Sequence, residues 1–118
     1  MRFIILLCLI ANSIFGQAVV FHQGYVRHDT TVDIFPSTSY SMNITATSIS
    51  LPDKTYNIIS HYTKDGILNL QLDNGSYVKY WEELPYGKII ARPYGNGVMV
   101  LWTNILDYFS VDMPCPKD

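Results

Sequence analysis

Apolar and polar residues alternate along most of the chain in short segments, and turn residues separate these segments at intervals of about nine to twelve residues. Asp-Gly and Asn-Gly pairs occur in the turns, where they tolerate the positive φ angles of tight hairpins. Short strands at this spacing are typical of an up-and-down antiparallel β-meander. The turn sequences are Lys64-Asp65-Gly66, Asp73-Asn74-Gly75-Ser76, Leu84-Pro85-Tyr86-Gly87 and Pro93-Tyr94-Gly95-Asn96-Gly97.

About eight segments have the period or the composition of short β-strands, and no segment keeps a 3.6-residue period. Within residues 18–26 we expect two short strands, or one strand kinked at Gly24. Within residues 39–51 the apolar parity changes, which predicts a bulge or bend near Thr47. Residues 98–102 are apolar on both faces, which favours a central strand. The other predicted strands are 30–35, 55–62, 67–72, 76–82, 88–92 and 108–111.

The sequence therefore predicts an all-β fold, an antiparallel meander of about eight short strands. Such a meander either closes as a barrel or divides into two packed sheets. We favour the closed barrel over a β-sandwich, because closure leaves no exposed edge strand.

In a closed barrel, alternate residues of every strand face the interior. One parity of the predicted strands then forms a mainly apolar lining, which suits a small hydrophobic ligand. The alternative is that these side chains fill the core and leave no cavity. The expected ligand-binding residues are Leu70, Val78, Tyr80, Val100 and Trp102.

The first residues have the order of a secretory signal peptide. Arg2 precedes a run of nine apolar residues, Phe3 to Ala11, and small and polar residues follow as far as Ala18. This run is too short to cross a bilayer, which takes ~20 residues. We expect a signal peptide at 1–18, a single all-β domain at 19–118, and a secreted, extracellular product with no membrane span in the mature chain.

Charge and cysteine content narrow the range of partners. The 8 basic and 10 acidic residues are scattered and give a formal net charge of −2, so the sequence predicts no nucleic-acid binding. Asn43-Ile44-Thr45 and Asn74-Gly75-Ser76 are candidate N-glycosylation sites. Cys8 lies in the predicted signal peptide, which leaves Cys115 as a free thiol or as the link of a disulfide-linked dimer.

Motifs for catalysis or metal binding are not found in the sequence. The three histidines, His22, His28 and His61, do not have the close spacing of zinc ligands. Glu82 and Glu83 are adjacent, so on a strand they point to opposite faces and cannot act as one pair. No nucleophile elbow and no phosphate-binding glycine loop occurs. We therefore expect no enzymatic activity, no cofactor and no metal site.

Four segments in the last third of the chain, followed by a cysteine, have a recognisable order. They are 87–91, 95–97, 98–104, 107–111 and Cys115. Together they resemble part of a lipocalin, a family in which a strand with a small and basic start is followed by a glycine turn, an apolar strand ending near Thr-Asp-Tyr, and a strand running into a cysteine. The resemblance covers about 30 residues and lacks the family's Gly-x-Trp motif, since both tryptophans lie late in the chain. It implies an eight-stranded barrel with a cavity for a small hydrophobic molecule.

Two functions are compatible with these observations. The first is binding of a small hydrophobic ligand by a secreted β-domain, as the lipocalin resemblance implies. The second is an extracellular protein–protein interaction module, either immunoglobulin-like or another β-sandwich, that presents aromatic residues to a partner. Aromatic side chains that converge on a cavity favour the first function, and a flat exposed aromatic patch favours the second.

Overall fold

The computed structural model describes residues 17–107 and Pro114. These residues form ten β-strands and no helix, so this part of the chain has no helix able to cross a membrane. Most of the predicted signal peptide and the predicted strand 108–111 lie outside the described residues. The strands are β1 (Gln17–Phe21), β2 (Gln23–Arg27), β3 (Val32–Phe35), β4 (Tyr40–Ile44), β5 (Ser48–Ser50), β6 (Thr55–Lys64), β7 (Ile67–Leu72), β8 (Tyr77–Glu83), β9 (Gly87–Tyr94) and β10 (Gly97–Trp102).

The ten strands make one antiparallel sheet in the order β1-β4-β5-β6-β7-β8-β9-β10-β2-β3. Strands β4 to β10 follow chain order, which confirms the predicted meander. The sheet forms a half-barrel, so the prediction of a closed barrel of about eight strands is wrong in both closure and strand number. Among the described residues, β1 and β3 are its two edges.

Over the described residues the sheet is open between its edge strands β1 and β3, and two distant parts of it are joined where β1 passes into β2. These two strands are consecutive in the chain, yet β1 pairs with β4 and β2 pairs with β10, toward opposite ends of the sheet. At the junction, the His22 amide donates to the Trp102 carbonyl at 2.9 Å, and the His22 carbonyl accepts from the Thr38 amide at 2.8 Å. The backbone of His22 is therefore bonded to the end of β10 and to the β3–β4 connection.

Two predicted strands are each divided in the structure, which accounts for the additional strands. Residues 18–26 divide at His22 rather than at Gly24. Gly24 instead allows β10 to approach closely, because a Cβ built there would lie 2.2 Å from the Val100 carbonyl oxygen. Residues 39–51 divide at the predicted bend, where the Thr45 hydroxyl accepts from the Ser48 amide at 3.0 Å.

The hairpin between β6 and β7 confirms the turn prediction from Asp-Gly. Asp65 and Gly66 both have positive φ, 54° and 79°, and connect the paired residues Lys64 and Ile67. Positive φ at both central residues is the geometry of a type I′ turn, whose twist matches that of the flanking strands.

Apolar side chains are buried on both faces of the sheet. Strand β10 is buried on both faces over residues 99–102, which confirms the predicted central strand. The inner cluster consists of Val19, Phe21, Val26, Met42, Ile44, Ile49, Leu51, Tyr56, Leu70, Leu72, Val78, Ile90, Met99 and Leu101. The outer cluster consists of Tyr25, Ile67, Trp81, Tyr86, Ile89, Ala91, Val100 and Trp102, with Leu106 packed against it.

A buried glutamine connects the outer cluster to the chain that follows β10. Gln23 is 2% exposed, and its Oε1 accepts from Trp102 Nε1 at 2.9 Å and from the Leu106 amide at 3.0 Å. Its Nε2 donates to the carbonyl oxygens of Leu106 at 3.0 Å and of Pro36 at 3.2 Å. Nearby, the Tyr25 hydroxyl donates to the Pro114 carbonyl. These hydrogen bonds hold Leu106 and Pro114, which follow β10 in the chain, against the outer face of the sheet.

Candidate functional site

An open cleft of about 260 Å³ lies beside strands β6 to β9. Strand register explains how it is assembled: Thr63 pairs with Leu68, Leu68 with Tyr80, and Glu82 with Lys88. These five positions alternate onto the inner face of the sheet, because side chains two residues apart on a strand share a face. Gly66 and Trp81 complete the border. We call this cavity the Tyr80 cleft.

The Tyr80 cleft combines apolar walls with a few polar groups. Leu68 and Tyr80 pack against the inner cluster, and the Trp81 indole donates to Glu83 at 3.1 Å. Burial, with a further contribution from the charge of Glu82, raises the pKa of Tyr80 above its ordinary value. A tyrosine hydroxyl is protonated at neutral pH even without this shift, so Tyr80 can act toward a ligand as a neutral donor or acceptor.

The size of the Tyr80 cleft restricts its occupant. An engineered apolar cavity of ~150 Å³ is large enough to bind benzene. Pockets for drug-sized molecules begin at about 300 Å³. A cleft of about 260 Å³ lies between these values and therefore fits a molecule of one or two rings.

A second cleft, of about 220 Å³, lies further along β9 on the same face. Arg92 borders it, four residues after Lys88, which is a distance of about 13 Å along an extended strand. The remaining lining residues are Tyr40, Pro52, Asp53, Tyr94 and Met99.

Arg92 is the centre of a polar network that we call the Arg92 cluster: Tyr40, Asp53, Tyr56 and Arg92. Arg92 Nη1 donates to the Tyr40 hydroxyl at 2.9 Å and to Asp53 Oδ1 at 3.1 Å. Arg92 Nη2 donates to the Tyr56 hydroxyl at 3.4 Å, and that hydroxyl donates to Asp53 Oδ2. The guanidinium also lies over the Tyr56 ring, 5.6 Å from its centroid.

The pKa shifts in the Arg92 cluster show a mutually stabilised ion pair. Burial works to raise the pKa of Asp53, but hydrogen bonds from Tyr56 and Arg92 outweigh it and hold that pKa below its ordinary value. Burial works to lower the pKa of Arg92, but its bonds to Tyr40, Asp53 and Tyr56 raise it. Burial raises the pKa of Tyr40. All these groups keep their ordinary protonation at neutral pH.

The Arg92 cluster connects β9 to β4, β6 and the β5–β6 turn across the inside of the half-barrel. Its guanidinium is already engaged by three side chains, and its Nε atom is buried without a hydrogen-bond partner. A ligand therefore finds little free hydrogen-bonding capacity at Arg92. The Tyr80 cleft, which is bordered by exposed polar groups, is the better candidate for binding.

The structure divides the five predicted ligand-binding residues between two faces. Leu70 and Val78 are fully buried in the inner cluster, and Tyr80 borders the cleft. Val100 and Trp102 belong to the outer cluster, where the Trp102 ring lies between those of Tyr25 and Tyr86. The five residues therefore do not line one cavity, and their role in binding stays a prediction.

Strand register is the reason for this division. Tyr80 pairs with Ile90 and Ile90 pairs with Leu101, so the inner face takes the odd-numbered residues of β10. The prediction had assigned the even-numbered residues to that face. A one-residue change in register exchanges the two faces of a strand.

The structure describes some of the other predicted sites and not all of them. Asn43 and Asn74 are both exposed, as glycosylation requires. Cys115 lies outside the described residues. Over residues 17–107, the structure brings together no group of three His, Cys, Asp or Glu side chains able to hold a metal ion.

Sequence reasoning missed Thr63, Lys88 and the Arg92 cluster. The sequence did contain an indication that Arg92 occupies a special position, because it is a single charged residue directly after the apolar run Ile89-Ile90-Ala91. The pairing of Glu82 with Lys88 becomes visible only when the register of β8 and β9 is known.

Comparison of this chain with protein-family models, curated proteins and solved structures finds no match. The resemblance to lipocalins in the last third of the chain therefore stays a prediction.

Proposed function

We propose that this protein is a secreted β-domain that binds a small hydrophobic molecule, and that the ligand occupies the Tyr80 cleft. The observation that carries the proposal is the cleft itself, with Leu68 and Tyr80 in its walls and Glu82 and Lys88 at its border. Secretion is supported by the order of Arg2, an apolar run and small residues at the start of the sequence.

The preferred ligand is an aromatic compound of one or two rings with one hydroxyl or similar polar substituent. Burial of the rings contributes about 25 cal/mol of favourable binding free energy for each Å² of apolar surface removed from water. The polar substituent finds the Tyr80 hydroxyl, which is neutral at physiological pH like that of any tyrosine, and burial raises the pKa of Tyr80 further. Because the cleft is open, part of the ligand remains in contact with solvent.

The affinity follows from ligand size. A two-ring phenol has about 11 non-hydrogen atoms, and roughly 0.4–0.5 kcal/mol per atom gives a dissociation constant of about 0.1–1 mM. A natural ligand that fits the walls more closely would bind more tightly.

The test is calorimetric titration with 2-naphthol, comparing wild type with two variants of β6. Thr63→Phe adds a phenyl ring at the border of the cleft and should weaken binding at least tenfold. Ser60→Phe makes a similar addition on the opposite face of the same strand and should change affinity less than twofold. Absence of saturable binding by wild type, or equal losses in the two variants, would contradict the proposal.

A second candidate function, protein–protein interaction, is favoured by one observation. Val32 and Ile34 of the edge strand β3 are 44% and 46% exposed, and over the described residues β3 pairs only with β2. An open edge with apolar side chains can accept an extended segment of another protein as an additional strand. Selection from a random peptide library should enrich extended apolar peptides that bind wild type and not Ile34→Lys.

A further inference from the structure

The outer face of β4, β5 and β6 differs from the rest of the sheet in chemistry. Over β4, β5 and residues 55–57 of β6 the outward side chains are small and uncharged, and the strand register places Asn43 opposite Ser50 and Ser50 opposite Thr55. Their neighbours on the same strands continue the pattern. We call this surface the polar face, and its residues are Ser41, Asn43, Ser48, Ser50, Thr55 and Asn57.

Asn43 lies on the polar face. Its neighbours Met42 and Ile44 are buried in the inner cluster, so the alternation of β4 directs the Asn43 side chain outward, where it is exposed. Asn43 pairs with Ala18 of β1 on one side and with Ser50 of β5 on the other.

Asn74 lies in the β7–β8 loop, and this loop is fastened to the polar face at Asn57. The Asp73 amide donates to the Asn57 carbonyl at 3.0 Å, and Asn57 Nδ2 donates to Asp73 Oδ2 at 3.2 Å. The residue before Asn74 is therefore bonded to the face that carries Asn43. Asn43 lies on β4 and Asn74 follows β7, so at least three strand spacings, about 15 Å, separate the two candidate glycosylation sites.

The local geometry of Asn74 is compatible with a glycan on the side-chain nitrogen. Asn74 Oδ1 accepts from the Ser76 amide at 3.0 Å, which fixes the turn. A glycan is attached through Nδ2, so this hydrogen bond is kept after modification.

We infer that Asn43 and Asn74 both carry N-linked glycans and that the glycan on Asn43 shields the edge of β1. In the transfer, Nδ2 of asparagine forms a bond to the anomeric carbon of the first sugar. The bond from that carbon to the pyrophosphate of a lipid-linked oligosaccharide breaks, and the amide releases one proton.

Shielding follows from the position of Asn43 one strand in from the edge. Over residues 17–107 and Pro114, β1 pairs with β4 alone and is an edge of the sheet. Val20 of β1 is 39% exposed, and β1 has neither the proline nor the charge that commonly protects edge strands. In the secreted chain, which starts at Val19 if the predicted signal peptide is removed, Val19 pairs with Met42, so a bulky, hydrated glycan on Asn43 lies beside the remaining residues of β1 and blocks the approach of a second strand.

The experiment expresses the full 118-residue chain in a eukaryotic cell line as wild type, Asn43→Gln, Asn74→Gln and Ser41→Gln. Ser41 is a matched control, since it is an exposed residue of the polar face, two residues before Asn43, and is not part of a glycosylation motif. Mass spectrometry before and after treatment with peptide-N-glycosidase should show two glycans on wild type and on Ser41→Gln. Asn43→Gln and Asn74→Gln should each carry one. Absence of a glycan at either site of wild type overturns the inference.

Sedimentation of the same proteins tests the shielding of β1. Asn43→Gln should shift toward the mass of a dimer at a concentration where wild type, Ser41→Gln and Asn74→Gln remain monomeric. Enzymatic removal of glycans from folded wild type should produce the same shift, which excludes misfolding of the variant as the cause. A deglycosylated protein and an Asn43→Gln variant that both remain monomeric would overturn this part of the inference.

Discussion

Replacement of Gln23 by leucine tests whether this one side chain holds the segment around Leu106, which follows β10, against the outer cluster. Leucine has a similar size and no polar atoms. The variant removes the acceptor of the Trp102 indole N–H and of the Leu106 amide, and also the donor to two carbonyl oxygens. Four hydrogen bonds of the folded state are lost in one step.

The expected cost follows from the burial of the partners. Leaving a buried donor without its acceptor costs about 1–3 kcal/mol, and the Trp102 side chain is fully buried. Leu106 is half-buried and can turn toward water, so its share is smaller, about 0.5–1 kcal/mol. We expect Gln23→Leu to lower the free energy of unfolding by about 2–4 kcal/mol, against a total of roughly 5–15 kcal/mol for a domain.

The assay is urea unfolding followed by tryptophan fluorescence, since Trp102 contacts the altered side chain. Gln71→Leu is the matched control, because Gln71 is exposed and accepts a single bond from Ser60 at 3.1 Å. The control should stay within ~0.5 kcal/mol of wild type. A loss below ~1 kcal/mol in Gln23→Leu would refute the role assigned to Gln23.

Three further substitutions test the core, the Arg92 cluster and the contact between β2 and β10. Leu101→Ala, at a fully buried position of the central strand, should lower the free energy of unfolding by about 2–4 kcal/mol in urea titrations, and a loss below ~1 kcal/mol would contradict its placement. The pKa of Asp53 is lower in the folded state, so the contribution of Asp53 to stability is present above pH ~4 and is lost as pH falls. An Asp53→Asn variant should therefore have a smaller free energy of unfolding than wild type at pH 7 and the same value in acid. A difference that does not change with pH would contradict the ion pair. Gly24→Ala should lower the melting temperature more than Gly66→Ala. A Cβ at Gly24 would lie 2.2 Å from a backbone atom, whereas a Cβ at Gly66 would meet open space and only the positive φ would be unfavourable. Equal changes in melting temperature would contradict the close approach of β10 to Gly24.

Local features of the fold were predictable from the sequence. The Asp65-Gly66 pair fixed the β6–β7 hairpin, because few other residues adopt positive φ at low cost. Strand β7 occupies the predicted residues 67–72, since its alternation is regular and a turn bounds each end. The apolar run 98–102 indicated a central strand, since both of its faces had to be covered.

Features that depend on long-range pairing were not predictable in the same way. The division of residues 18–26 into β1 and β2 occurs at His22, whose backbone bonds to Trp102 and Thr38, and no local pattern encodes those partners. The faces of β10 depend on the register across two hairpins, and a one-residue difference moves Trp102 from one face to the other. The Tyr80 cleft needs that same register, since it is assembled from four strands.

The most direct test of ligand binding in the Tyr80 cleft uses the two tryptophans as reporters, one at the border of the cleft and one away from it. Both belong to the outer cluster, but Trp81 also borders the cleft, whereas Trp102 lies beside Gln23. In ¹H–¹⁵N spectra of wild type titrated with 2-naphthol, the Trp81 indole signal should shift and saturate while the Trp102 signal stays in place. Trp102→Phe assigns the two signals. A titration in which the Trp81 signal does not move, or in which only the Trp102 signal moves, would contradict binding in this cleft.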